Sequence, residues 1–97
     1  MLTSKQRGYL SGLASQAEPT VMVGKEGSSE GLYRMVAQEF RHRELLKIRF
    51  VASKDERNEI AHALAEQTGA ELVRVIGNVA VLYRPAEKSE DRTIQLP

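Results

Sequence analysis

The sequence predicts a single α/β domain of order αβαβαββ, built as a four-stranded mixed sheet with helices packed against it. Three observations carry this. A chain of 97 residues fits one domain and can bury one modest core. Three stretches space their apolar residues as helices do, and the stretches between them are short β-prone or alternating runs. Toward the C-terminal end, Gly77-Asn78 separates two apolar runs and marks a hairpin. Strands separated by helices imply right-handed crossovers between parallel neighbours, and the hairpin adds an antiparallel pair. The second and third helices are expected on the apolar face of the sheet. The sequence assigns the first helix no place.

The first helix opens at Thr3, with Gln6 as the reciprocal partner of a capping box. Leu10, Leu13 and Ala14 form its stripe, and Gly8 and Gly12 weaken it by about 1 kcal/mol each relative to Ala. Thr20-Val21-Met22-Val23 reads as a buried strand that stops at Gly24. After Gly24-Lys25-Glu26-Gly27, Ser28 or Ser29 caps a second helix that runs to about Arg43. Leu32, Met35, Val36 and Phe40 face inward on it; Arg34, Gln38 and Arg41 face outward. Residues 44–51 alternate, with Leu46, Ile48 and Phe50 toward the core and Leu45, Lys47, Arg49 and Val51 on the other face. Ser53-Lys54-Asp55-Glu56 is a second capping box and opens the third helix. Its stripe is Ile60, Ala61, Leu64 and Ala65, and Gly69 stands at its C′ position.

Leu72–Ile76 and Val79–Tyr83 form the hairpin, and a glycine-first turn suits type II′. That register puts Val73, Val75, Ala80 and Leu82 on one apolar face. Leu72, Arg74, Ile76, Val79, Val81 and Tyr83 lie on the other. Residues 1–85 thus make the domain. Residues 86–97 are expected to be a mostly flexible tail, in which the stretch 93–96 is able to dock.

The chain has no cysteine, which excludes disulfides, thiolate nucleophiles and cysteine-ligated metals. Its start lacks the apolar core of a secretory signal, and no run approaches the ~18 apolar residues of a membrane span. A cytoplasmic location, with no membrane partner, is the expectation. Net charge is only +1, so composition gives little support for a polyanionic partner. Distribution gives more. Residues 1–49 hold eight Lys/Arg against five Glu, and residues 50–97 hold six against eight Asp/Glu. Arg41, Arg43, Lys47 and Arg49 crowd into nine positions with one acid, Glu44. Such a cluster makes either a positive binding surface or a solvated charged face.

Catalysis finds no candidates. His42 and His62 sit on different helices with no nucleophile–base motif around them. No paired histidine spacing suggests a metal, and neither a dinucleotide fingerprint nor a P-loop is present. No enzyme activity and no cofactor are expected. Gly24–Gly27 differs, because it joins a strand to a helix N-terminus. Two glycines let backbone approach a ligand closely, and the helix start favours an anion such as phosphate. G-x-x-G in this setting clamps nucleic-acid backbones in KH domains. It also occurs in plain tight turns. Lys25 favours the first reading and Glu26 opposes it.

The chain resembles the stand-alone bacterial, YhbY-like form of the CRM domain (chloroplast RNA splicing and ribosome maturation). The matching stretches are Leu2-Thr3-Ser4-Lys5-Gln6-Arg7 with Tyr9-Leu10 and Leu13-Ala14, then Pro19 with Val21 through Gly27. Arg43-Glu44-Leu45-Leu46-Lys47-Ile48 and the run from Val75 to Pro85 follow, and Ile94-Gln95-Leu96-Pro97 is similar to the family's ending. The resemblance implies a KH-like fold, similar to the C-terminal domain of translation initiation factor 3. It implies binding of structured RNA, above all ribosomal RNA in precursors of the large subunit, and a role in ribosome biogenesis. DNA is not an expected partner, and a monomer is expected.

The resemblance also makes Gly24, Lys25, Glu26 and Gly27 the RNA-clamping loop. Family members often carry Leu-Thr after the second glycine. Ser28-Ser29 here keeps the cap chemistry and gives up a packing contact behind the loop. Ser28, Arg34, Arg41, Arg43, Lys47 and Arg49 complete the expected RNA surface. Arg84 is placed either on that surface or in a pair with Glu71. Tyr33 and Tyr83 are placed either against bases or in packing. The competing reading is a protein-interaction or small-ligand regulatory α/β domain without nucleic-acid affinity.

Overall fold

Strand alternation and helix periodicity each need a partner surface, and the chain supplies it by burying a four-stranded sheet between helices on both sides. The computed structural model describes residues 2–24, 29–51 and 54–97, with backbone alone at 54 and 55. Lys25, Glu26, Gly27 and Ser28 of the glycine loop, and Ser53 of the expected second capping box, lie outside the described residues. In chain order the elements are α1 (Ser4–Ala14), β1 (Val21–Val23), α2 (Glu30–Glu39), β2 (Leu45–Phe50), α3 (Lys54–Thr68), β3 (Glu71–Ile76) and β4 (Val79–Tyr83), followed by a 3-10 turn at Ser89–Asp91. This is the predicted αβαβαββ order.

The sheet order is β1-β2-β4-β3. β1 and β2 are parallel neighbours, and β4 pairs antiparallel with both β2 and β3. The crossover through α3 therefore does not deliver β3 beside β2. The hairpin folds β4 back into the gap, so the hairpin's second strand is central and its first is an edge. β1, the other edge, is only three residues long, which limits edge-to-edge pairing.

One face of the sheet packs against α2 and α3. Val21, Val23, Leu46, Ile48, Phe50, Ala80 and Leu82 meet Leu32, Val36 and Phe40 of the second helical stretch and Ile60, Ala61, Leu64 and Ala65 of the third. The opposite face carries a smaller cluster: Leu10 and Ala14 of α1 lie on Val73, Val81 and Tyr83, with Leu2, Leu45, Ile94 and Leu96 at its margin. The first helix thus has a place, on the second face, and Leu13 sits at the edge of its stripe.

The caps match the local chemistry. Thr3 and Gln6 form the capping box, with bonds of 3.1 and 3.0 Å. Ser29, not Ser28, caps α2 by accepting from the Leu32 amide. At the end of α3, Ala70 N–H donates to the Ala65 carbonyl and Gly69 N–H to that of Glu66. That is the Schellman arrangement, with Gly69 at φ +69°. Gly77 has φ +57° while Asn78 is not left-handed, as a type II′ turn requires.

Four expectations need correction. Met22 is 62% exposed, so β1 is an edge strand with one open face rather than a strand buried on both. Met35 is 50% exposed. The buried stripe of α2 runs through Leu32, Val36 and Phe40 with Tyr33 beside it, and one step of 100° takes Met35 off that stripe. The helix also ends at Glu39, with Phe40 as its C-cap and turns through Arg43.

Finally, the hairpin register shifts between Leu72 and Arg74: Leu72 pairs with Leu82, and Arg74 with Val81. Val73 is the extra residue of a β-bulge. It is buried as expected but on the α1 face, and Leu72 takes the inner face instead. Arg7 of α1 donates Nη1 to the carbonyls of Leu72 and Val73, fixing the bulge. Val75, expected in the core, is half-buried.

Candidate nucleic-acid interface

The parallel register of β1 and β2 brings Gly24, the residue that opens the glycine loop, close to the basic strand. Met22 pairs with Arg49 and Val23 with Phe50, and Val51 N–H donates to the Val23 carbonyl at 2.9 Å. Gly24, exposed, leaves the sheet at that corner. Alternation puts Lys47 and Arg49 on the α1 face, because Leu46, Ile48 and Phe50 are buried on the other. Lys47 is half-buried, and its ammonium donates to the Ala17 carbonyl at 3.0 Å. Among the described residues, that carbonyl is the one acceptor its three donors meet. Arg49 is exposed.

Gly24 has open space around it. A Cβ built there meets nothing within 4 Å, and its φ is not left-handed. Neither packing nor backbone conformation in the described fold demands glycine at this position.

The basic stretch 41–49 is not one patch. Arg41 and Arg43 are exposed in the turns after α2, at the opposite end of β2. Arg49 lies six residue steps after Arg43, most of them along β2, a separation of up to about 20 Å at ~3.3 Å per residue. Arg41 and Arg43 line a hollow with Phe40, His42, Arg84 and Lys88, and the acids Glu44, Glu87 and Asp91 share it. Arg34 is exposed on the outer side of α2, in the layer across the sheet from Arg49.

Arg84 is engaged inside the fold. Its guanidinium donates to the Thr68 carbonyl at the end of α3 and lies 5.3 Å over the Phe40 ring, a cation–π contact. Tyr83 is buried under α1. Burial, and then the charge of Glu44, push its phenol above the ordinary value. Tyr33 packs at the margin of the main core. His42 and His62 are exposed.

Sequence reasoning missed two features. Arg74 lies across Val81 from Lys47 and so joins the same face; its guanidinium donates to Ser11 Oγ at 3.1 Å. The second is Glu44, the one acid of the basic stretch. It is 4% exposed and accepts from the amides of Ala86, Thr93 and Ile94 and from the Thr93 hydroxyl, at 2.7–3.2 Å. Burial raises its pKa, but those hydrogen bonds outweigh burial and hold the carboxyl below its ordinary 4.5. It anchors the segment after Pro85, so Ile94 and Leu96 reach the second cluster.

The model of the CRS1/YhbY (CRM) domain matches residues 2–84. A Haemophilus influenzae protein named RNA-binding protein is 37% identical over 99% of this chain and 95% of its own length. The Bacillus subtilis protein named probable RNA-binding protein YqeI is 35% identical over the full length of both. The solution structure of SAV1595 from Staphylococcus aureus superposes with a TM-score of 0.84, at 36% identity and full coverage of both chains. With the bulged β1-β2-β4-β3 sheet and these matches together, the chain belongs to the CRS1/YhbY (CRM) domain family.

Proposed function

We propose that this protein binds structured RNA through the corner formed by the 24–27 loop and the exposed side of β2. The RNA is ribosomal RNA of the large-subunit precursor, and the protein acts in the cytoplasm as an assembly factor rather than a catalyst. The observation that carries the reading is the pairing of Met22 with Arg49. It sets a cation on the strand next to the exposed glycine that opens the loop. Phosphate attraction then comes from Arg49 and Lys47, with Lys25 in the loop itself, and close approach from Gly24. Arg41 and Arg43 contribute only to an RNA that extends about 20 Å along the sheet. Relatives named RNA-binding proteins support the class of partner. The large-subunit precursor rests on the family resemblance.

Two measurements test it. Crosslinking in cells, followed by sequencing of the bound RNA, should enrich large-subunit precursor sequences; recovery at background would reject the assignment. In vitro, Arg49→Ala should lower affinity and flatten the slope of log K against log salt by about one unit, as expected for one lost phosphate contact. An unchanged slope removes Arg49 from the interface.

A further inference from the structure

The pairing registers align one residue from each strand into a row across the whole sheet: Met22 beside Arg49, Arg49 beside Val79, Val79 beside Ile76. All four point to the α1 face, and the row spans about 14 Å at ~4.8 Å per strand. Met22 and Ile76 are 62% and 52% exposed, and Val51, the next residue outward on the β2 side, is 55% exposed. The next row down, Lys47–Val81–Arg74, is different. Lys47 and Arg74 are tied to Ala17 and Ser11 and Val81 between them is buried beside Leu10 and Ala14, so α1 and the chain after it roof the middle of that row, while Arg74 stays exposed. Between roof and open row runs a groove lined by Ser11, Ala14, Ser15, Ile76 and Val79.

We propose that the open row is a platform on which unpaired bases of the bound RNA lie, beside the backbone held at the Gly24 corner. This rests on the RNA reading above and specifies which RNA: an unpaired loop or junction rather than continuous duplex. The row is flat and aliphatic, with a polarizable thioether at one end and a planar guanidinium within it that stacks on bases or pairs with phosphate. Duplex RNA hides its base faces and shows mainly phosphate and ribose, so three aliphatic side chains gain nothing from it. The two rows carry three cations, Arg49, Lys47 and Arg74, and no acid, which favours a polyanion over a protein helix.

The test is the double variant Met22→Thr with Ile76→Thr. Both sites are exposed and threonine suits strands, so the parent's melting curve should be retained. Affinity for an unpaired oligonucleotide should fall about tenfold at every salt concentration, with the salt slope unchanged, because no phosphate contact is lost. Affinity for a duplex hairpin should not change. Met22→Leu with Ile76→Val should bind as the parent does. If the parent binds RNA and the threonine variant binds unpaired RNA equally well, the platform is wrong and the RNA reading stands. Equal loss on duplex and unpaired RNA also overturns it, as does unchanged RNA affinity with loss of a bound protein. A parent that binds neither RNA overturns both readings.

Discussion

Glu44 offers the sharpest test of how the chain after Pro85 is held. In Glu44→Ala, the amides of Ala86, Thr93 and Ile94 and the Thr93 hydroxyl lose a shared acceptor. Hydrogen bonds to a charged group contribute about 1.5–3 kcal/mol each. The full sum is not expected, because the freed segment swings into water and its amides hydrate. What is lost is the docking itself: the better of those bonds, and the burial of Ile94 and Leu96, each half-buried and contributing about 1 kcal/mol. A net loss of about 2–3 kcal/mol follows, which for a domain this size lowers Tm by roughly 10–15 °C. Thermal melts near neutral pH, beside trypsin cleavage at the exposed Arg92, measure both parts. Cleavage should accelerate before global unfolding. A variant that melts within about 2 °C of the parent, with Arg92 equally protected, would refute the reasoning.

Glu44→Gln separates charge from shape. The parent's folded carboxyl titrates below 4.5, so its contribution is complete above that value and is lost as pH falls through the lower folded one. Urea melts of parent and variant should show a constant stability gap above about pH 4.5 that closes in acid; a gap that widens in acid would contradict the depressed value. Gly24→Ala should leave stability unchanged or raise it by up to about 1 kcal/mol, since the methyl meets open space at an ordinary φ. The same variant should bind RNA several-fold more weakly in fluorescence anisotropy, and a drop in Tm would show that the fold itself needs the glycine. Arg7→Met removes two bonds at the bulge and should cost about 1–3 kcal/mol in a denaturant melt, whereas an unchanged midpoint would mean the bulge holds itself.

Much of the fold was legible because its signals are local. The Thr3–Gln6 capping box, the Schellman glycine at Gly69, the II′ turn at Gly77 and the alternation of β2 all depend on residues a few positions apart. What was not legible depends on partners distant in sequence. Val73 changes face because of a bulge that Arg7 stabilises from a helix 66 residues away. β4 enters between β2 and β3 because Ala80 and Leu82 complete the inner face there, a choice the hairpin sequence alone does not fix. The site divides the same way. The outward placement of Lys47 and Arg49 could be read from the alternation of β2. The split between Arg43 and Arg49 could not, because nine adjacent positions look like one patch until a turn and a strand separate them. Arg84 read either as a surface cation or as a partner of Glu71, because neither Phe40 nor the Thr68 carbonyl is near it in sequence.

The most direct test of the central claim is ultraviolet crosslinking of the intact protein to a large-subunit ribosomal RNA fragment, with the crosslinked peptides identified by mass spectrometry. The account predicts crosslinks in the peptides that contain Met22–Gly24 and Arg49–Val51, weakened by Arg49→Ala. Crosslinks confined to the outer faces of α1 or α3, with none at the loop corner, would contradict it.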